Sequence, residues 1–342
     1  MILTTPLLER LAQDGPVHVV ATPANAGILA NHPAVASVIV FDKRRADRGL
    51  AGMRRVAAAV RATGARRAYL AQGSLRTAAV AWLAGVPERI GFATSPGRLL
   101  YTRQIAFDRM HHHAQRLSQL ASAATANEAV PVMRPSLFPS ASDVAQVDAL
   151  LREYHAGATD ALIAVAPGSV WATKRWPSYD ALGVELVARI SDGRLPAGTR
   201  LVVLGGADDA PLAAAIAQRA AECGGAPVID ATGRLSLLAS AALIGRARVL
   251  ITNDSAPLHL ASAMNTPTVA VFGPTIPAFG FGPLADVRKI VEREGLACRP
   301  CGAHGPQSCP LGHWQCMRDL APDRVADIAQ RLASDSAGDF AP

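Results

Sequence analysis

Aromatic residues make up only 5% of this 342-residue chain, and it contains no apolar run of roughly eighteen residues free of charge. That second absence excludes a membrane-spanning helix as the organising element. A charged-then-apolar secretory leader is also missing, which favours the cytoplasm. No phosphate-binding P-loop occurs, and Gly205-Gly206 lacks the full G-x-G-x-x-G spacing, so P-loop kinases and dinucleotide oxidoreductases both lose ground. Arginine-rich stretches such as "DKRRADRGLAGMRR" carry no interleaved aromatics. They read as solvated faces, and no nucleic acid partner is expected.

What is present points elsewhere. Half of the residues are apolar, and a chain of this length suggests about two domains. An excess of alanine, valine and leucine suits helices packed on parallel strands. The net charge of +7 suits an anionic partner, either a phosphorylated small molecule or an acidic membrane surface.

Leu3, Leu7, Leu8 and Leu11 form a helical stripe at the start, with Thr4 or Thr5 as cap ahead of Pro6. Strand-like "HVVATP", "SVIVFD", "RAYLAQ" and "RIGF" then alternate with helices expected near 24–31, 50–63 and 75–84. Three prolines interrupt the pattern at 131–139, and a polar helix near 141–154 bridges onward. The alternation resumes with "LIAVAP", "RLVVLGG", "PVID", "RVLITN" and "TVAVFG". Helices are expected from Ser178, from Asp208, near 235–244 and from Ser255, with a last one near 323–332. Such alternation predicts an α/β protein built from doubly wound parallel sheets. The expected domains are 1–155, lacking its first strand, and 156–332, followed by a disordered tail at 333–342.

Ligands of open parallel sheets bind beyond the carboxyl ends of the strands. In the second half those ends lead into "PGSVWATKRWP", "GGADD", "ATGRLS", "NDSAPLH" and "FGPT". Together they offer Lys174, Arg175, Asp208, Asp254, His259 and several hydroxyls. A helix starting at Ser255 would turn its free amides toward the same rim, a ready phosphate site. The combination suggests a nucleoside diphosphate. Each residue alone has a plainer reading: Asp254 as a helix cap, His259 as a core histidine, Lys174 and Arg175 as solvated charges.

The segments "ITNDSAPLHLASAMNTPTVAVFGPT", "APGSVWATKRWP" and "QGSLRTAAVAWLAGVPERIGF" resemble family 9 glycosyltransferases, the lipopolysaccharide heptosyltransferases, and most closely the heptosyltransferase II branch. The resemblance implies a GT-B fold, two Rossmann-like domains with a cleft between them. It implies an inverting transfer of heptose from ADP-L-glycero-D-manno-heptose to a phosphorylated Kdo–lipid A inner core, with heptosyl-Kdo2-lipid A as acceptor. Lys174 would hold the donor phosphates, with Ser169 and Val170 on the same loop. Asp208 would grip the adenosine ribose and Leu235 line the adenine pocket. Asp254 would contact the heptose, with the Ala256–Pro257 backbone and His259 by the pyrophosphate. The family often has glycine where Ala256 stands, which would allow closer backbone approach. The anionic acceptor implies peripheral contact with the cytoplasmic face of the inner membrane. The leaving group is supplied by the sugar nucleotide, so no cofactor is required for the chemistry.

Inverting transfer needs a general base for the acceptor hydroxyl. The resemblance implies an aspartate in a Gly-Asp pair after the first strand, just before a segment like "ILTTPLL". In this numbering it would precede Met1, and Asp14 is no substitute. A start assigned late, at an internal methionine, is the favoured account. The alternative is a catalytically dead ADP-sugar-binding protein. A sugar-nucleotide epimerase would need further carboxylates.

"CRPCGAHGPQSCPLGHWQC" places Cys298, Cys301, Cys309 and Cys316 near His304 and His313. A C-x2-C followed by two more cysteines suits a structural zinc in a reducing compartment, with free thiols or a redox-made disulfide as the other readings. Cys223 reads as core.

Overall fold

Residues 1–122, 130–157, 159–196 and 198–335 are described by the structure, a computed structural model. The chain divides into two units, residues 1–138 and 139–342. The first contains α1 (Thr5–Ala12), β1 (His18–Ala21), α2 (Pro23–Ala26), β2 (Ser37–Val40), α3 (Gly49–Ala62), β3 (Arg67–Leu70), α4 (Leu75–Leu83), β4 (Glu88–Phe92), β5 (Arg103–Ile105) and α5 (His113–Gln119). β1 pairs with β2, β3 with β4 and β4 with β5, all parallel.

Leu3, Leu7 and Leu8 are buried, as the opening stripe requires. The expected cap is not made: no side chain caps α1, and the Thr5 hydroxyl instead accepts the Ser136 N–H at 2.9 Å. The single helix expected near 24–31 breaks into α2 and a separate 3-10 turn at Gly27–Leu29, where a glycine at the junction weakens helix propagation.

The second unit runs α6 (Ala141–Glu153), β6 (Leu162–Ala166), α7 (Tyr179–Ser191), β7 (Arg200–Val203), α8 (Ala210–Glu222), β8 (Ile229–Asp230), α9 (Leu237–Arg246), β9 (Ala247–Asn253), α10 (Ala256–Met264), β10 (Thr268–Phe272), β11 (Arg288–Glu292), α11 (Gln315–Arg318) and α12 (Pro322–Asp335). Among the described residues six strands form one sheet in the order β11-β10-β9-β6-β7-β8, and every pair is parallel. β6 and β10 are buried along their whole length, as continuous apolar runs covered on both faces should be. One core joins Val165, Ile251 and Val271 of the strands to Leu182 and Leu186 of α7 and to Val325 and Ala329 of α12.

The division at residue 138 comes well before the expected boundary at 155. The cause is α6. Its capping box uses the Ser140 hydroxyl on the Asp143 N–H (3.2 Å) and the Asp143 carboxylate on the Ser140 N–H (2.9 Å). Asp143 also accepts from Ser236, the residue that caps α9, at 3.0 Å. Arg246 reaches Asp148, and Arg234 reaches Glu153, each at 2.5 Å. The polar helix that reads as a bridge is therefore fastened to α9. At the other end, Ala333 to Asp335 belong to α12 rather than to a disordered tail; residues 336–342 lie outside the described residues. Among the described residues no helix is long and apolar enough to cross a membrane.

Candidate functional site

Because all six strands of the second unit run parallel, their carboxyl ends lie along one edge. The order of the strands decides which loops meet there. β6, β9 and β10 are adjacent, so the loop after β6, the turn after β9 and the loop after β10 converge. Lys174 comes from the first, Asp254 from the second and Thr275 from the third. The Lys174 ammonium donates to Asp254 Oδ2 at 2.6 Å, and the Thr275 hydroxyl donates to the same oxygen at 2.7 Å. The Lys174 and Asp254 side chains are 10% and 11% exposed. The plainer readings of both residues fail here. Lys174 is not a solvated charge, and Ser255 rather than Asp254 occupies the N-cap of α10. Arg175 is exposed, as a solvated charge would be, and its Nε donates to the Ser169 carbonyl at 2.7 Å.

The loop carrying Lys174 is held from beneath by Asn253, which has no exposed surface. Asn253 Oδ1 accepts the Trp176 N–H at 3.3 Å and the Tyr179 hydroxyl at 3.1 Å. Its Nδ2 donates to the Pro167 carbonyl at 2.8 Å. Both ends of the loop are thus tied to the last residue of β9. Burial pushes the Tyr179 phenol well above the ordinary tyrosine range, so it acts as a permanent donor.

From above, the cysteine-rich segment clasps the same loop. The Gln307 side chain accepts from the Ala172 N–H (3.0 Å) and donates to the Val170 carbonyl (3.1 Å). Thr173 donates its hydroxyl to the Pro306 carbonyl at 2.5 Å. The Trp171 and His304 rings stack at 6.0 Å with 6° between their planes. Sequence reasoning missed Thr275, Asn253 and Gln307. The "FGPT" after the last apolar strand was a usable signal for Thr275; nothing local marks the other two.

The remaining expected residues spread along the edge. Ser169 is half-buried and Val170 is 80% exposed, both on the Lys174 loop. Asp208 is exposed in the 3-10 turn after β7, and half-buried Leu235 follows β8, farther along the sheet order. Ala256 and Pro257 form the first turn of α10. His259 lies in the same helix, its ring 6.4 Å from that of Phe281.

Among the described residues, no group of three or more His, Cys, Asp or Glu side chains is placed to hold a metal ion. The Cys298 sulfur lies 3.9 Å from His313 Nε2, but the Cys301 thiol turns to the Cys298 carbonyl at 3.2 Å. Cys316 is packed into the apolar core, and burial pushes its thiol up to about 11. Burial works against ionisation of Cys309 too, yet the backbone amides of Trp314, Leu311, Gly312 and His313 hold its thiol below the ordinary value. Cys223 is exposed at the end of α8, not core.

The profile of glycosyltransferase family 9 (heptosyltransferase) matches residues 53–311. The chain belongs to this family. Its curated relatives include the lipooligosaccharide heptosyltransferase 2 of Campylobacter jejuni, 40% identical over 88 residues, a stretch covering 26% of each chain. The lipopolysaccharide heptosyltransferase 2 of Escherichia coli K12 is 26% identical over 284 residues, covering 78% of this chain and 75% of the relative. The chain therefore spans from 26% to 75% of the length of these two relatives. The structure of E. coli ADP-heptose heptosyltransferase II shares the fold, with a TM-score of 0.75 at 22% identity over 97% of this chain and 95% of that one. A family 9 glycosyltransferase from Veillonella parvula gives 0.79 at 24% identity, over 98% and 94%. The family 9 chain is thus an α/β protein of parallel sheets with the GT-B fold of heptosyltransferases, as its sequence led one to expect.

Proposed function

We propose that this family 9 chain transfers heptose, with inversion, from ADP-L-glycero-D-manno-heptose to the lipopolysaccharide inner core, taking heptosyl-Kdo2-lipid A as acceptor. The observation that carries the reading is the convergence of Lys174, Asp254 and Thr275 on one edge, beside the N-terminal turn of α10. Lys174 is a nearly dry cation held ready by a carboxylate. A pyrophosphate entering beside α10 competes with Asp254 for it and meets the positive end of the helix. Ser169 and Val170 flank that pyrophosphate on the Lys174 loop, with the Ala256–Pro257 backbone and His259 on its other side. Asp208 takes the ribose hydroxyls and Leu235 the adenine face. Asp254, once released from Lys174, accepts hydroxyls of the heptose.

In the reaction the acceptor oxygen bonds to the anomeric carbon as the bond from that carbon to the phosphate oxygen breaks. ADP departs carrying the electron pair, and the acceptor proton passes to a carboxylate base. Lys174 and the α10 amides stabilise the charge growing on ADP, a pre-set electrostatic contribution. The acceptor is anionic, so the net charge of +7 supports peripheral contact with the cytoplasmic face of the inner membrane.

The direct test is heptose transfer from ADP-heptose to an inner-core acceptor. Lys174→Ala should lower turnover at least about tenfold, the usual scale for losing one transition-state contact. Near-normal turnover in that variant would discredit the assigned donor loop. ADP binding without transfer to any acceptor would leave a binding protein instead. A structural zinc on Cys298, Cys301, Cys309 and Cys316 is the finer reading of the cysteine segment and rests on their spacing alone. It requires close to one zinc per purified chain, and under about 0.2 equivalents would remove it.

A further inference from the structure

The cysteine-rich segment clasps the Lys174 loop, and it reaches the loop after β10 as well. The last residues of β10 and β11, Phe272 and Glu292, stand opposite each other in the parallel register. Beyond Glu292 the chain turns back, and Arg299 covers these strand ends. Its side chain is 6% exposed, and each guanidinium nitrogen is engaged. Nη1 donates to the Arg293 carbonyl at 2.7 Å. Nε donates to the Gly273 carbonyl, and Nη2 to the carbonyls of Phe272 at 3.4 Å and Thr275 at 2.9 Å. Glu292 Oε2 accepts from the same Nη2 at 2.8 Å and orients the fork. A planar fork of donors can gather several carbonyls in this way, whereas an ammonium is a point charge. The loop is pinned elsewhere too. The Cys301 N–H donates to the Pro274 carbonyl at 2.8 Å, and a Cβ on Gly273 would come within 2.7 Å of Met317.

What this loop carries is the Thr275 hydroxyl. Thr275 is 1% exposed. Arg299 holds its carbonyl, and its hydroxyl donates to Asp254 Oδ2 at 2.7 Å. With the backbone gripped and a β-branched side chain of few rotamers, the hydroxyl is aimed before any ligand arrives. The same Oδ2 accepts from Lys174. The two donors part company when an anion enters. A diphosphate competes for the cation but has no such claim on a neutral hydroxyl. Asp254, with an 11% exposed side chain, is then a nearly dry carboxylate without its countercharge. That state is costly unless hydrogen-bond donors remain.

We propose that Thr275 is a positioning residue of the donor site, set in place by Arg299: its hydroxyl holds and stabilises Asp254 when a diphosphate draws Lys174 away. The assignment rests on the donor reading given above, and it gives the cysteine-rich segment a part in that site through Arg299, separate from its cysteines.

ADP binding to the full chain, measured by titration calorimetry, is the test. Thr275→Val keeps the shape and removes the hydroxyl, so it should weaken ADP binding about tenfold, the scale of a hydrogen bond to a charged group. Thr275→Ser returns the hydroxyl and should bind within about twofold of the native chain. In an Asp254→Ala background, Thr275→Val should have no further effect, because the group it serves is gone. A merely structural role would weaken binding in both backgrounds. Arg299→Met should match Thr275→Val and add nothing to it. Arg299→Lys should not restore binding, since one ammonium cannot span the carbonyls of Phe272, Gly273 and Thr275. Without ligand, Arg299→Met should also speed exchange of the Cys301 amide at least about tenfold. Thr275→Val and Thr275→Ser leave Arg299 in place, so they decide the point even where Arg299→Met destabilises the loop.

Lys174→Ala is the control for the donor reading. If it binds ADP as the native chain does, that reading fails and takes the role of Thr275 with it. If Lys174→Ala loses ADP while Thr275→Val binds normally, the donor reading stands and the role of Thr275 alone is overturned. A Thr275→Val loss that persists in the Asp254→Ala background, or that serine does not recover, overturns it as well.

Discussion

Replacing Asn253 with alanine isolates what holds the Lys174 loop in place. The side chain makes three hydrogen bonds, to the Trp176 N–H, the Tyr179 hydroxyl and the Pro167 carbonyl. Trp176 and Tyr179 are 2% and 4% exposed, so water cannot readily replace the lost partner. Each such bond contributes about 1 kcal/mol net, and orphaned buried groups cost more than the bond itself. Asn253→Ala should therefore destabilise the second unit by about 3 kcal/mol. Tyr179→Phe removes one donor and leaves Oδ1 its other partner, so it should cost about 1 kcal/mol. In the double variant the two losses overlap, giving a coupling energy of about 1 kcal/mol. Guanidinium unfolding, followed through exchange of β6 and β9 amides, gives the midpoint and the slope together. Weaker ADP binding should accompany the loss, because Lys174 no longer has a fixed place. A cost below about 1 kcal/mol for Asn253→Ala with unchanged slope would refute the claim that this residue anchors the loop.

The first unit carries a pH-sensitive group. Burial, with the nearby charges of Arg116 and His112, lowers His113 to about 4 from an ordinary 6.5. The unfolded chain then gains a proton below pH ~6.5 that the native state refuses, so stability is complete above that pH and falls as the pH drops toward ~4. The loss is at most about 3 kcal/mol, and His113→Gln should flatten that limb in unfolding curves taken from pH ~7 to ~4; an unaltered limb would show that another group sets it. Among the thiols of chelator-treated protein, iodoacetamide should label Cys309 ahead of Cys301, whose thiol burial raises, with buried Cys316 last. Mass spectrometry of timed samples reads the order, and early labelling of Cys316 would contradict the packing described for it.

The strands covered on both faces were legible from residue pattern alone. "LIAVA", "VLI" and "VAVF" are short apolar runs, alternating with helical stretches as strands of a buried parallel sheet do, and the loops that follow them marked the candidate edge. The sequence did not reveal β5 and β11, because "RQI" and "RKIVE" are short or charged edge strands with one side open to water and no periodic signal. It placed α6 between the domains because a polar helix looks unattached; its fastening to α9 runs through Ser236, Arg234 and Arg246, far along the chain. Lys174 and Asp254 were legible as candidates from their loops, but each kept a plain alternative. What removed the alternatives is strand order. Placing β6 beside β9 and β9 beside β10 brings Lys174, Asp254 and Thr275 onto a single oxygen, and no spacing along the chain encodes that. Asn253 is the clearest case: as the last residue of a strand it looks like an ordinary turn asparagine, and only burial under a loop from a neighbouring strand makes its three hydrogen bonds obligatory.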